Sequence, residues 1–202
     1  ATQTYSGADI SIHFLSHMDR NHPIIGTSNY IQTPTTVVPL STPITPHHFR
    51  KDQLGGTLTY DLGGGILFKF EGAYYDYQDE INLYTVRGLR TAEDHAQVAS
   101  GLEYGFEDRF GGNSNLFFEI QRVLGVEARK RYEITAFQND VMLGWRYAFN
   151  DVMGSEFFLG VFADLERSRE FFYSSYFARR LTDSWKFKLG LRVFQVDQKG
   201  ST

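Results

Sequence analysis

Apolar and polar residues take turns along most of this chain. Ala8, Ile10, Ile12 and Phe14 alternate with Asp9, Ser11 and His13. Leu54, Gly56, Leu58, Tyr60 and Leu62 alternate with Gln53, Gly55, Thr57, Thr59 and Asp61, and Phe68, Phe70, Gly72 and Tyr74 with Lys69, Glu71 and Ala73. The period returns at Val98, Leu102, Tyr104 and Phe106, at Leu116, Phe118 and Ile120, and at Val141, Leu143, Trp145, Tyr147 and Phe149. It continues at Phe157, Leu159, Val161 and Leu165, more weakly at Ser175, Phe177 and Leu181, and at Trp185, Phe187, Leu189, Leu191 and Val193. Successive strand side chains point to opposite faces, so period two predicts β-strands with one apolar and one polar face. Nine strands result, each of about ten residues, the length a tilted strand needs to cross a bilayer.

A soluble sandwich also alternates, so the connections have to decide. Residues 16–50, 76–95 and 125–135 are long connections, and 167–170 is a shorter member of the same set. The connections at 63–65, 107–114, 150–154 and 182–183 are short and rich in Gly, Asn and Asp, residues that accept tight-turn geometry. Long loops on one side and short turns on the other is the arrangement of outer-membrane barrels, whose short turns are periplasmic. A weak repeat marks the short-turn side, with Leu58, Tyr60 and Leu62, then Leu102, Tyr104 and Phe106, then Trp145, Tyr147 and Phe149 each preceding such a turn. Tyr60, Tyr104, Trp145 and Tyr147, with Phe68, Phe118, Phe157 and Trp185 on the return strands, are expected to form a membrane girdle at one depth, because amphipathic rings settle at the headgroup layer.

Composition points the same way. The 202 residues include 18 Phe, 12 Tyr, 2 Trp and 19 Gly, yet mean hydropathy is only -0.34, as expected where half of each strand faces water and half faces lipid. The longest apolar run, 157–163, is far short of the roughly 18 residues of a membrane helix. A net charge of -4 argues against nucleic-acid binding through counterion release. Absence of cysteine excludes disulfide scaffolds and thiolate metal sites. The expected fold is therefore all-β, an antiparallel transmembrane outer-membrane β-barrel in a single unit over 1–202. With short turns periplasmic, the ninth strand runs outward and has no return, so at least one C-terminal strand, and upstream strands as well, are expected beyond these residues.

The order of elements resembles the C-terminal part of large Gram-negative porin-like outer-membrane proteins. The residues carrying the resemblance are Gly7, Ala8, Asp9, Ile10 and Ser11 with Asp19 and Pro23, then Leu54, Gly55 and Gly56, then Glu71, Gly72, Ala73 and Tyr74, then Gly101, Leu102, Glu103 and Tyr104, and finally residues 185–194. The resemblance implies a channel in the bacterial outer membrane for a small solute, without naming the solute and without catalytic residues.

Candidate pore-lining residues are the charges of the polar face: Asp9, His13, Lys69, Glu71, Glu103, Glu119, Asp140, Arg146, Asp164, Lys186, Lys188 and Arg192. Facing rows of opposite charge would set up a transverse field and select solutes; the same charges would also fit an ion-paired, plugged interior. All five prolines (Pro23, Pro34, Pro39, Pro43, Pro46) fall in segment 16–50, which is expected to be extended and without regular hydrogen bonding, either a constriction loop or an extracellular cap. His13, His17, His22, His47 and His48 lie in or beside it with Asp9 and Asp19, but no spacing matches a ligand motif, so neither metal nor cofactor is assigned. Asp9, Ser11 and His13 share one strand face at intervals of roughly 7 Å, beyond hydrogen-bond reach for a catalytic triad, and the chain is not read as an enzyme. The expected partners are the lipid bilayer, lipopolysaccharide near basic residues such as Arg129, Lys130, Arg131, Arg179 and Arg180, and the solute; an oligomer is compatible with the sequence. A barrel-embedded hydrolase or lipid-modifying enzyme, and an adhesive or structural barrel, are the alternative functions.

Overall fold

The computed structural model describes residues 2–5, 7–19, 24–40, 45–78, 81–85, 88–109, 111–131, 134–135, 138–166 and 170–195. In chain order these form β1 (Thr2–Tyr5), β2 (Ala8–Met18), β3 (Ile24–Gly26), β4 (Tyr30–Gln32), β5 (Val37–Pro39), β6 (Thr45–His47), β7 (Arg50–Gly63), β8 (Ile66–Tyr77), β9 (Leu83–Thr85) and β10 (Gly88–Arg90). They continue with β11 (His95–Glu107), β12 (Asn113–Leu124), a single helical turn α1 (Ala128–Arg131), β13 (Asn139–Ala148), β14 (Glu156–Asp164), β15 (Phe171–Arg180) and β16 (Lys186–Gln195). The protein is all-β: one ten-stranded antiparallel sheet in the order β1, β2, β7, β8, β11, β12, β13, β14, β15, β16, plus three two-stranded ribbons. Nine of the ten strands are those the alternation predicts. The tenth, β1, is only four residues long and has no apolar alternation to announce it.

The short turns fix the register. Gly63, Gly64 and Gly65 have φ of 80°, 62° and 82°, three consecutive left-handed residues that only glycine adopts without strain. Gly63 N–H donates to Asp61 Oδ1 at 2.8 Å. A Cβ on Gly65 would lie 2.3 Å from the Gly105 carbonyl oxygen. In the β13–β14 turn, Asp151 accepts the Ser155 N–H and the Ser155 hydroxyl, both at 2.7 Å. These bonds, the backbone one foremost, hold its carboxyl below the ordinary Asp value. Leu181 and Trp185 belong to the β15–β16 turn, the Leu181 N–H donating to the Trp185 carbonyl at 2.8 Å, so they lie outside the strands to which the alternation assigned them.

The expectation for segment 16–50 is corrected. β2 runs on to Met18, and inside the segment β3 pairs with β6 and β4 with β5. Pro39 and Pro46 sit opposite Tyr30 and Ile25, and Pro34 lies in a turn closed by Thr33 N–H on the Thr36 carbonyl at 2.8 Å. A two-stranded ribbon has two free edges, where a missing N–H leaves no partner unsatisfied, so proline is tolerated there. Pro23, Pro43 and His22 lie outside the described residues.

The register strings the apolar positions into rows. Ala8, Tyr60, Phe68, Leu102, Phe118, Leu143, Val161, Tyr173 and Val193 are successive partners across nine strands, with no polar residue except the Tyr hydroxyls. Nothing among the described residues covers this face, and Ile12, Phe14, Leu54, Leu143 and Leu191 are each more than half exposed. The few buried apolar side chains sit elsewhere. Phe49, Leu83, Val123 and Val126 cluster at the long-loop end, where Thr27 and Tyr84 exchange backbone hydrogen bonds of 3.0 and 2.8 Å between two loops. Among the described residues no ladder joins β1 to β16. Because Gly65 combines positive φ with a backbone contact, Gly65→Ala is expected to destabilise the sheet by more than ~1 kcal/mol. A lowered urea midpoint would register this, whereas Gly64→Ala, with open space around it, should cost less.

Candidate functional site

The face opposite the apolar row carries every charge assigned to the pore lining. Asp9 and His13 are on β2, Lys69 and Glu71 on β8, Glu103 on β11, Glu119 on β12, Asp140 and Arg146 on β13, Asp164 on β14, and Lys186, Lys188 and Arg192 on β16. The charges do not form opposing rows. They pair locally: Lys69 with Glu103 (2.6 Å) and Arg146 with Glu156 (2.8 Å) join neighbouring strands, and Lys186 reaches Glu156 (3.4 Å) across β15. Glu156 escaped the sequence reading because it begins β14, where the alternation had not yet declared itself. Asp140 and Asp164 face each other in register, and Asp140 is buried. On β2 the Ser11 hydroxyl bonds Thr57 Oγ1 at 2.7 Å, while His13 lies over Gly55 with Nε2 3.2 Å from the Gln53 amide. Of the residues considered as a triad, Ser11 and His13 are thus each held by a different neighbour and not by one another.

At the loop end, the same face closes into a cavity of about 450 Å³ floored by Lys51, Tyr75, Tyr77, His95 and Gln97 and roofed by the loops. Alternation brings these side chains to one face of β7, β8 and β11, and the end of β2 adds Asp19. Asp19 Oδ2 accepts from Lys51 Nζ and from the Tyr77 hydroxyl, both at 2.9 Å. Lys51 and Asp19 are both buried, and Lys51 Nζ also lies 4.8 Å from the centre of the Tyr75 ring. His95 stacks on Tyr75 at 4.9 Å, with Nδ1 2.9 Å from the Glu93 carbonyl and Nε2 3.2 Å from the Gln97 amide. These contacts fit a neutral ring that donates from Nδ1 and accepts at Nε2. Burial lowers the pKa of His95, and burial followed by the Asp19 carboxylate pushes Tyr77 well above the usual phenol value. The Thr91 hydroxyl on the cavity wall is buried with no hydrogen-bond partner among the described residues. None of this was legible in advance, because the contributing residues come from distant stretches that alternate only as polar or aromatic strand ends.

The remaining assignments separate. Tyr60, Phe68 and Phe118 share one row, Tyr104 and Trp145 lie two residues nearer the turn end, Tyr147 and Phe157 four residues nearer, and Trp185 is in a turn. The girdle residues therefore do not form a single register row, although the Trp145 ring lies 5.9 Å from Tyr147 and 5.8 Å from Phe157. Of the basic run in α1, Lys130 pairs with Glu93 and Arg131 with Glu166. His17, His47 and His48 bond Met18, Thr45 and Asp19 respectively, and among the described residues no three His, Asp or Glu side chains converge as metal ligands would. Comparisons with protein-family models, curated proteins and solved structures return no match.

Lys51→Met leaves the Asp19 carboxylate buried without its cation and is expected to cost ~3–5 kcal/mol, most of it regained in Asp19→Asn/Lys51→Met. Urea midpoints of the two variants would check this. Tyr77 gives a pH signature. Its folded pKa lies above the free value of 10.0, so above that pH the unfolded chain releases a proton the folded one keeps, and stability falls as pH rises. Midpoints followed upward from about pH 9 should decline less steeply in Tyr77→Phe.

Proposed function

We propose that this sheet is wall of a β-barrel in a bacterial outer membrane and that the protein is a porin-like channel for passive or facilitated passage of a small solute. The observation that carries the reading is the slope of the apolar band across the register. At the loop end its border is Asp76 on β8, eight residues past Phe68, then Arg122 on β12, four past Phe118, and Gln195 on β16, two past Val193. At the turn end the last large outward ring moves the same way, from Phe68 on β8 to Phe157 on β14, four residues before Val161, and Phe187 on β16, six before Val193. From β8 to β16 both borders shift by six residues over six strand steps, although Ser16, Asp52 and Asp76 on β2, β7 and β8 share one row; the average of about one residue per strand, or ~3.3 Å for every ~4.8 Å of strand spacing, corresponds to a tilt of ~35°. Transmembrane barrel strands tilt by about 35–45°.

A tilt explains why girdle rings occupy several register rows yet serve one level. From Ile66 to Tyr74 the outward face of β8 is free of charge for ~26 Å along the strand, ~21 Å along the membrane normal, close to the band height of such barrels. Lipid covers the apolar rows, which nothing among the described residues covers, and the charged face lines an aqueous path. The edges of β1 and β16 meet strand partners there, because an unpaired backbone edge cannot face hydrocarbon. Lys51, Tyr77 and His95 lie at the loop end, level with or beyond the outward Asp52, Asp76 and Asp94, and the loops above them face the lipopolysaccharide side. No catalytic residue or cofactor enters this reading.

Protein extracted from bacterial membranes in detergent and added to planar bilayers should give ohmic conductance steps. Folded, inserted protein without conductance would sink the channel, and protein that stays monodisperse without detergent would sink the membrane. Leu143→Arg puts a charge in the middle of the outward band and should cost ~2–4 kcal/mol, seen as fewer inserted molecules, whereas a charge at Asn139, beyond the border, should be nearly neutral.

A further inference from the structure

The polar face changes character along the sheet. Midway along β7, β8 and β11 it carries Thr57, Thr59, Lys69, Glu71 and Glu103, whereas β12 adds Phe117 and β14 to β16 carry Phe158, Phe162, Phe172, Tyr176 and Phe194. Two of them fill space that glycines leave: a Cβ on Gly144 would meet Phe117 Cδ2 at 3.3 Å, and one on Gly160 would meet Phe158 Cε1 and Cζ at 3.0 Å. Two stacks follow across the strands. Phe158 and Tyr176 have centroids 5.4 Å apart at 21°. Four residues nearer the loop end, Phe172 lies 5.3 Å from Phe162 and 4.5 Å from Phe194, the latter at 27°.

Between the stacks Ser174 and Arg192 face each other in register on β15 and β16. Ser174 is flanked along its strand by Phe172 and Tyr176, and Arg192 by Gly190 and Phe194. Among the described residues Arg192 has no ion pair or hydrogen bond. Among the described residues the only partner of Lys188 is the Tyr176 ring, 3.9 Å below its ammonium. Of the two inward carboxylates of β14, Glu156 is taken by Arg146 and Lys186, and Asp164, at the loop end, accepts the Glu166 N–H at 2.7 Å.

We infer that the inner face of β14 to β16 is a recognition strip for aromatic carboxylates. The inference rests on the channel reading and names the solute class. An aromatic ring stacks on the ring faces, and its carboxylate meets the Arg192 guanidinium, whose planar fork suits a bidentate pair, with the Ser174 hydroxyl as a further donor. A cationic solute would be repelled by Arg192 and Lys188. A sugar needs acceptors as well as donors beside the ring, and the free groups here are two cations and one hydroxyl. A simple inorganic anion would use the cations but not the rings.

Titration calorimetry of benzoate into the detergent-solubilised protein tests the strip without requiring conductance. Benzoate is expected to bind, with acetate and benzylammonium each weaker by roughly tenfold or more. Arg192→Gln and Phe172→Ala should each weaken benzoate by a similar factor, while Arg180→Gln, at the turn end of β15, should leave it unchanged. Equal binding of acetate, indifference to Arg192→Gln, or no benzoate binding by folded protein overturns the inference, and a conductance recorded on the same sample would then still stand. Benzoate binding without any conductance would keep the strip and remove the channel.

Discussion

One ladder of main-chain hydrogen bonds governs this molecule. In a two-layer domain, apolar side chains from facing elements interlock and would resist a slip of the strands. Here, among the described residues, the long strands have no second layer, and the buried apolar residues are few, four of them at the loop end and Ala178 near the turn end. Register alone therefore decides where each side chain goes, and a one-residue slip anywhere would turn the unbroken row from Ala8 to Val193 into a mixed one. The features that look ornamental at the two ends are what prevent the slip. At one end Gly63, Gly64 and Gly65 admit a single tight connection, and Asp151 closes another through Ser155. At the other, Asp19, Lys51, Tyr77 and His95 tie four strands into one buried polar cluster.

That cluster is a pair of charges taken out of water, a weak source of net stability but an effective constraint on geometry. Lys51 must sit where it meets Asp19 and the Tyr75 ring together, which places the end of β2 against β7 and β8. The loops above inherit that placement: His48 reaches the Asp19 carbonyl at 2.8 Å, and Tyr77 N–H takes Asp94 Oδ1 at 2.7 Å. The connections 16–50 and 76–95 are thus tied at their ends to fixed points on the sheet.

The nine long strands, their antiparallel order and the placing of short turns were readable because period two survives any tertiary context in which the two faces meet different surroundings. Leu58, Tyr60 and Leu62 announce their face whatever lies opposite. What alternation cannot supply is depth. Tyr60 and Tyr147 both read as outward rings before a turn, yet they lie four register rows apart, because a tilted strand exchanges row for level. Pairing choices were equally hidden: Lys69, Arg146 and Lys186 were visible as inward charges, but their partners depend on which residues of the strands beside them come within reach, and Lys186 finds Glu156 across β15. Phe158 and Phe162 occupy inward positions within the longest apolar run, where a sequence shows only hydrophobicity and the sheet shows rings over a glycine.

Applying the slope of about one residue per strand to the inward face brings those scattered charges into order. Asp9, Lys69, Glu103, Arg146, Glu156 and Lys186 then fall within about one residue of a common level toward the turn end, although they come from six strands. A belt of adjacent opposite charges has a field that decays within a few ångströms of the wall, so it orders water and counterions locally and discriminates weakly by the sign of a passing solute. In the proposed channel, selectivity by charge would then come from groups left out of the pairing. Arg192 is such a group, and the same slope puts it about five residues nearer the loop end than the belt, between the ring stacks and below the cavity that the loops enclose. A solute entering from the loop side would meet the unpaired cation and the rings first and the neutralised belt last, which is the order in which a wall would bind a solute before releasing it.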